Sequence, residues 1–185
     1  MENRLITNAI LIHHSDSPPE TTMEQVDQWH RKQGFAMIGY HKYIQMDGLA
    51  RDGRPDWAIG AHSYSRNKDS LGICLAGDFT TYAPTEAQMQ SLVAEIKDYR
   101  RLYGNIPVQR HGDNDATACP GDMFPWGDLL SRLDNKEVSE EMNIDEALAI
   151  LKDKGIISSP DYWKMASQVV QYLSNLIIAV ANYVK

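Results

Sequence analysis

Two short runs constrain this chain more than any other feature. Ala9-Ile10-Leu11-Ile12-His13 and Ser70-Leu71-Gly72-Ile73-Cys74-Leu75-Ala76-Gly77 contain no Asp, Glu, Lys or Arg and are rich in branched side chains. Such a strand is apolar on both faces, so it belongs inside a sheet that is covered on both sides. The intervening segments supply the covers. Thr22 with Gln25 forms a capping box for a helix that stops near Gly34. Pro84-Thr85-Glu86-Ala87-Gln88 opens a longer helix, with Met89, Leu92, Val93, Ile96, Tyr99 and Leu102 at helical spacing before Gly104. Gly39 to Met46 reads as a strand, Asp47-Gly48 as a hairpin turn and Leu49 to Asp52 as the return strand. Ile106 to Arg110 is another short strand, and a helix follows from Phe124 or Pro125 to Leu133. Strands alternating with helices, plus one antiparallel hairpin, predict an α/β fold with a mixed central β-sheet flanked by helices.

The character changes at Asp134. Residues 134–142 are polar and mostly acidic and read as a linker. The expected organisation is therefore a main domain over 1–133, a linker over 134–142 and a helical module over 143–185. Asn143 and Glu146 offer a capping box for a helix with Ile144, Ala147, Leu148 and Leu151 on one face, ending at Gly155. Ser159-Pro160 starts a second, with the stripe Trp163, Ala166, Val170, Leu173, Ile177, Val180 and Val184. The pair forms a small C-terminal helical hairpin. Its apolar faces are wide for its size, so it docks on the main domain or pairs with a second copy as a homodimer.

The net charge of -7 argues against nucleic acid, whose binding rests on clustered Lys and Arg. Two cysteines, Cys74 and Cys119, exclude a disulfide framework. Cys74 sits in an apolar run and reads as a buried small hydrophobe. Met1 to Asn8 lacks the pattern of a signal peptide, and the apolar run Leu176 to Val184 is too short to span a bilayer. Synthesis in the cytoplasm without a transmembrane segment is the expectation.

His13 ends one strand, His111 follows another, and Cys119 comes eight residues later, before Pro120. Two imidazoles and a thiolate suit zinc, and three protein ligands leave a fourth position for water, the arrangement of a catalytic site. Spacing alone does not establish this. A histidine at a strand end is more often hydrogen-bonded structure than a ligand, and seven residues between His and Cys is not a standard finger spacing.

Five motifs in order add to this. Ile12-His13-His14-Ser15, Gly39-Tyr40-His41, Gly60-Ala61-His62, Ser70 to Gly77 and His111 with Ala118-Cys119-Pro120 resemble those of the N-acetylmuramoyl-L-alanine amidases. The resemblance is closer to the amidase-type phage lysozymes and peptidoglycan recognition proteins, and it covers roughly residues 5 to 133. It implies one Zn2+ held by His13, His111 and Cys119, with Tyr40 beside the metal as a catalytic residue. It implies peptidoglycan as partner and hydrolysis of the amide bond between N-acetylmuramic acid and L-alanine. Both faces of the first strand are apolar, so alternation does not choose between His13 and His14, and the motif match alone selects His13. His14 is then a supporting residue. At the position two before Cys119, where some members carry Lys, this chain has Thr117, a neutral donor. His62 and Asn67 are expected in the substrate groove, His30 on the surface and His41 in buried structure.

The resemblance also implies an endolysin of phage or prophage, or an autolysin, reaching the wall after release through membrane holes or lysis. Three alternatives stand beside it. An intracellular amidase that recycles anhydromuropeptides typically carries Asp where this chain has Cys119. A non-catalytic recognition protein usually lacks that Cys. A closed structural zinc site needs a fourth ligand, for which Asp113 and Asp115 are nearest in sequence.

Overall fold

The computed structural model describes residues 1–134, 144–163, 177, 180 and 181. The chain divides into two compact units, Met1–Asp134 and Asn135–Lys185. In the first, strands β1 (Ala9–His14), β2 (Lys42–Ile44), β3 (Ala50–Asp52), β4 (Ser70–Leu75) and β5 (Val108–Arg110) form one sheet. Its order is β3-β2-β4-β1-β5. β1 pairs in parallel with β4 and β5, β2 pairs in parallel with β4, and the β2–β3 hairpin is antiparallel. The mixed sheet flanked by helices is the predicted fold class. The two apolar runs are the adjacent inner strands β4 and β1, buried at every position.

Helices α1 (Met23–Lys32), α2 (Glu86–Tyr103) and α3 (Trp126–Asp134) complete this unit. Both long helices start at a capping box, Thr22 with Gln25 and Thr85 with Gln88. Gln88 is buried, and its Nε2 also donates to Ala76 O at 2.9 Å, tying the start of α2 to the end of β4. Met89, Leu92, Ile96 and Tyr99 of α2 pack on Ile10, Ile12, Ile44, Leu71, Ile73 and Leu75. Burial of this kind contributes of order 2 kcal/mol per side chain. Leu102 is 55% exposed and leaves the expected stripe, because the core-facing side of α2 runs on from Tyr99 to Tyr103, four residues along, and not to Leu102. Tyr43 and Cys74 point to the other face of the sheet, where Val26 of α1 and Ile38 cover them.

The strand expected over Gly39 to Met46 is confined to Lys42–Ile44. The residues before it are paired elsewhere. Gly39 O accepts from Ala61 N and Tyr40 O accepts from Arg54 N. The hairpin turn is as expected, with Gly48 at φ 87, a conformation that costs glycine little.

In the second unit α4 (Ile144–Asp153) contributes Ala147, Leu148 and Leu151 to a cluster with Ile177 and Ala181. Residues 160–163 are helical as well. Residues 135–143, which include most of the expected linker and the Asn143 cap, lie outside the described residues. So do Ala166, Val170, Leu173 and Val184 of the second stripe. Among the described residues no helix is long and apolar enough to cross a membrane.

Candidate metal centre and substrate groove

Parity along β1 separates the two histidines that the sequence leaves together. His14 shares the face of Ile10 and Ile12 and packs against Phe79, with ring centroids 6.0 Å apart. Its Nδ1 accepts from Phe79 N at 3.0 Å. His13 points to the opposite face. There its ligand nitrogen lies with a nitrogen of His111 and the sulfur of Cys119, all within 4.8 Å of one another. His13 Nδ1 is 3.8 Å from Cys119 Sγ. A tetrahedral zinc ion with ordinary Zn–N and Zn–S bonds separates its nitrogen and sulfur ligands by about 3.6 Å. The donor set and its spacing therefore fit zinc.

Three pieces of local structure bring these groups together. β1 delivers His13. β5 ends at Arg110, and a 3-10 turn over His111–Asp113 holds His111 beside β1, with the His13 and His111 ring centroids 4.4 Å apart. The loop then folds back so that Gly112 N donates to Cys119 O at 2.8 Å. The backbone N–H of His14 donates to Cys119 Sγ at 3.4 Å. Burial and the neighbouring His62 and His111 hold the His13 pKa well below that of free imidazole, which keeps the ring in the neutral form a metal requires. Burial pushes the Cys119 thiol up to about 12.

Neither Asp113 nor Asp115 joins the ligand group. Asp113 Oδ2 accepts from Arg110 N at 3.0 Å. Asp115 Oδ2 lies 3.1 Å from His111 Nε2 and also accepts from Ser63 Oγ at 2.6 Å. The Ser63 hydroxyl is the main reason its carboxyl is held down to about 2. Among the described residues this group has three members, so the closed four-ligand alternative lacks its fourth.

Tyr40 stands beside His13, ring centroids 5.1 Å apart. Burial raises its pKa well above that of free tyrosine, so the phenol stays protonated and can donate. Its segment is fixed from several sides. Buried Arg54 donates to Ile38 O, Ile59 O and Met37 O. Asp27 and His30 of α1 accept from Ile38 N and Gly39 N. His30 is thus half-buried against Tyr40 rather than a plain surface residue. His41 is buried, accepting from Gly72 N through Nδ1 and contacting Ala58 O through Nε2.

An open groove of about 510 Å³ runs beside the cluster, lined by Phe35, His62, Tyr64, Asn67, His111 and Thr117 among others. His62 is buried, and its Nδ1 lies 3.1 Å from His13 Nε2. It fits there because Gly60 and Gly72 have no side chain; a Cβ on either would lie 2.4 or 2.5 Å from the imidazole. Asn67 Oδ1 accepts from both His62 N and Ser63 N. Thr117 is exposed, and its hydroxyl accepts from Cys119 N at 3.2 Å. Ser63 and Arg54 were not expected at the site, Gly60 and Gly72 stood in motifs with no role assigned, and Asp115 was expected only as a candidate fourth ligand of a closed zinc site. The four-residue step from His111 to Asp115 was the one available signal for that pair.

A strand-end His, a His–Cys loop closed over it and an adjoining open groove form a site that could hold a metal ion beside a bound ligand. The sequence profile of the N-acetylmuramoyl-L-alanine amidases matches residues 3–122, and the chain belongs to this family. It is 34% identical over 131 residues to the endolysin of Enterobacteria phage T3, covering 66% of this chain and 87% of that one. With the endolysin of Escherichia phage T7 it shares 32% identity over 133 residues, 68% of this chain and 88% of that one. In three dimensions it resembles the N-acetylmuramoyl-L-alanine amidase LysC from Clostridium intestinale URNW. The TM-score is 0.66 and the identity 36%, over 69% of this chain and 85% of that one.

Proposed function

We propose that this chain is a peptidoglycan hydrolase of the endolysin kind. It cleaves the amide bond between N-acetylmuramic acid and L-alanine, with one zinc ion held by His13, His111 and Cys119. The observation that carries the reading is the convergence of those three donors, within 4.8 Å of one another, beside an open groove. Zinc, when bound, supplies Lewis acidity, which makes water nucleophilic near neutral pH and polarises the amide carbonyl.

The protein side chains supply the remainder. Tyr40, protonated and held beside His13, donates a hydrogen bond to the oxyanion that develops as the carbonyl is attacked. Thr117 brings a neutral hydroxyl to the groove rather than a cation, so Tyr40 bears more of that charge. His62 and Asn67 shape the groove wall, and Asn67 Nδ2 reaches the stem peptide. In this reading residues 1–133 are the catalytic domain. Residues 143–185, beyond the 134–142 linker, are a module for wall targeting or for pairing with a second copy. In the same reading the enzyme is made in the cytoplasm and meets the wall on lysis.

Mass spectrometry of purified peptidoglycan digested with the enzyme tests this. New L-alanine amino termini with intact glycan chains are expected. Cleavage only within the glycan or between stem residues would overturn the assignment.

A further inference from the structure

The turn over residues 62–67 reaches both histidines of the ligand set, by two separate routes. On one side His62 Nδ1 lies 3.1 Å from His13 Nε2. On the other, Ser63 Oγ donates to Asp115 Oδ2 at 2.6 Å, and the same oxygen lies 3.1 Å from His111 Nε2. Ser65 N adds a second bond to Asp115, at 3.2 Å to Oδ1. The two routes meet at Asn67, whose Oδ1 accepts from His62 N at 2.8 Å and from Ser63 N at 3.0 Å. The turn also lines the groove through His62, Ser63, Tyr64 and Asn67.

We propose that this turn is a positioning device for the metal centre, with Asn67 and Ser63 fixing the orientation of both histidine ligands although neither touches the metal. The chemistry follows from imidazole itself. A histidine that binds metal through Nδ1 carries its proton on Nε2, and that proton needs an acceptor in the right direction. His62 Nδ1, in the tautomer that carries its proton on Nε2, is that acceptor for His13, and the Asp115 carboxylate is that acceptor for His111. Each acceptor is itself aimed by the turn. The inference rests on the zinc reading above.

Zinc affinity of the full-length protein tests it, measured by competition with a chromogenic chelator, together with the visible absorption spectrum of the Co2+-substituted protein. Ser63→Ala and Asn67→Ala are each expected to weaken zinc binding about tenfold or more and to change the cobalt spectrum. Asn67→Asp keeps an accepting oxygen and is expected to restore most of the affinity. Should Asn67→Ala fail to fold, as judged by circular dichroism of the metal-free protein, Ser63→Ala decides alone. Wild-type affinity within twofold and an unchanged cobalt spectrum in Ser63→Ala would overturn the inference while leaving the zinc reading in place. If the wild type binds no zinc, or if Cys119→Ser binds it equally tightly, the zinc reading fails and the inference fails with it.

Discussion

The backbone N–H of His14 donates to the sulfur of Cys119 at 3.4 Å, so the residue next to one proposed metal ligand steadies another. β1 thus serves the site twice, through the side chain at position 13 and through the main chain at position 14. An N–H aimed at sulfur favours the thiolate, whereas burial opposes it. A bound cation resolves that opposition. Chelation of the metal, or Cys119→Ser, is expected to lower release of L-alanine amino termini from peptidoglycan by at least about a hundredfold. Undiminished release from the metal-free protein would show that no metal takes part.

Tyr40 makes a separable contribution. Tyr40→Phe removes the donor and keeps the ring against His13 and His30. Turnover is expected to fall about a hundredfold, as for loss of one oxyanion donor. Zinc content should stay near one ion per chain. A variant that loses its zinc instead would assign Tyr40 to the structure of the site.

The space for His62 is made by absent side chains. A Cβ at Gly72 would stand 2.5 Å from the His62 Cγ. Gly72→Ala should therefore destabilise the fold by about 1–3 kcal/mol, read from the urea midpoint. A midpoint equal to that of the wild type would mean that the imidazole has room to swing aside.

Acid should weaken the fold through His41. Burial lowers its pKa from 6.5 to about 4 in the folded protein. Between those values the unfolded chain binds the extra proton and the folded one does not, so stability rises with pH across this window and falls on acidification. The contribution is at most about 3 kcal/mol. His41→Gln should flatten this part of the curve of urea midpoint against pH between 6.5 and 4.5. An unchanged slope would place the acid sensitivity in other groups.

The compact unit Met1–Asp134 contains every proposed ligand and the groove. Truncation after Asp134 is expected to leave turnover on soluble muropeptides within about twofold of the full chain. A truncated protein that does not fold would show that the first unit depends on the second.

The sequence revealed the sheet because its inner strands are apolar on both faces, a property local to each run. The same property hid the choice between His13 and His14. Which face carries the larger helix-covered core is set by where α2 and α3 pack, and no residue of β1 states that. The capping box at Thr22 was legible because its partner Gln25 lies three residues on in the sequence. Leu102 misled because three and four residues after Tyr99 are both allowed helical steps, and the core takes the second, at Tyr103. The bonds from Ser63 to Asp115 and from Arg54 to Met37, Ile38 and Ile59 join distant segments, and no local pattern announces them.

Strand order has a final consequence. β1 lies between β4 and β5, so His13 sits on a strand bonded along both edges. His111 and Cys119 belong to a loop after the short edge strand β5. Opening that loop breaks hydrogen bonds between loops, such as those from Ser63 and Ser65 to Asp115 and from the His14 N–H to Cys119, but leaves the sheet paired, whereas displacing the backbone at His13 requires the sheet to come apart. On the zinc reading, metal exchange with solvent would therefore be governed by the loop half of the proposed ligand set. A departing ion would leave β1 standing, and recapture would need only the loop to close again.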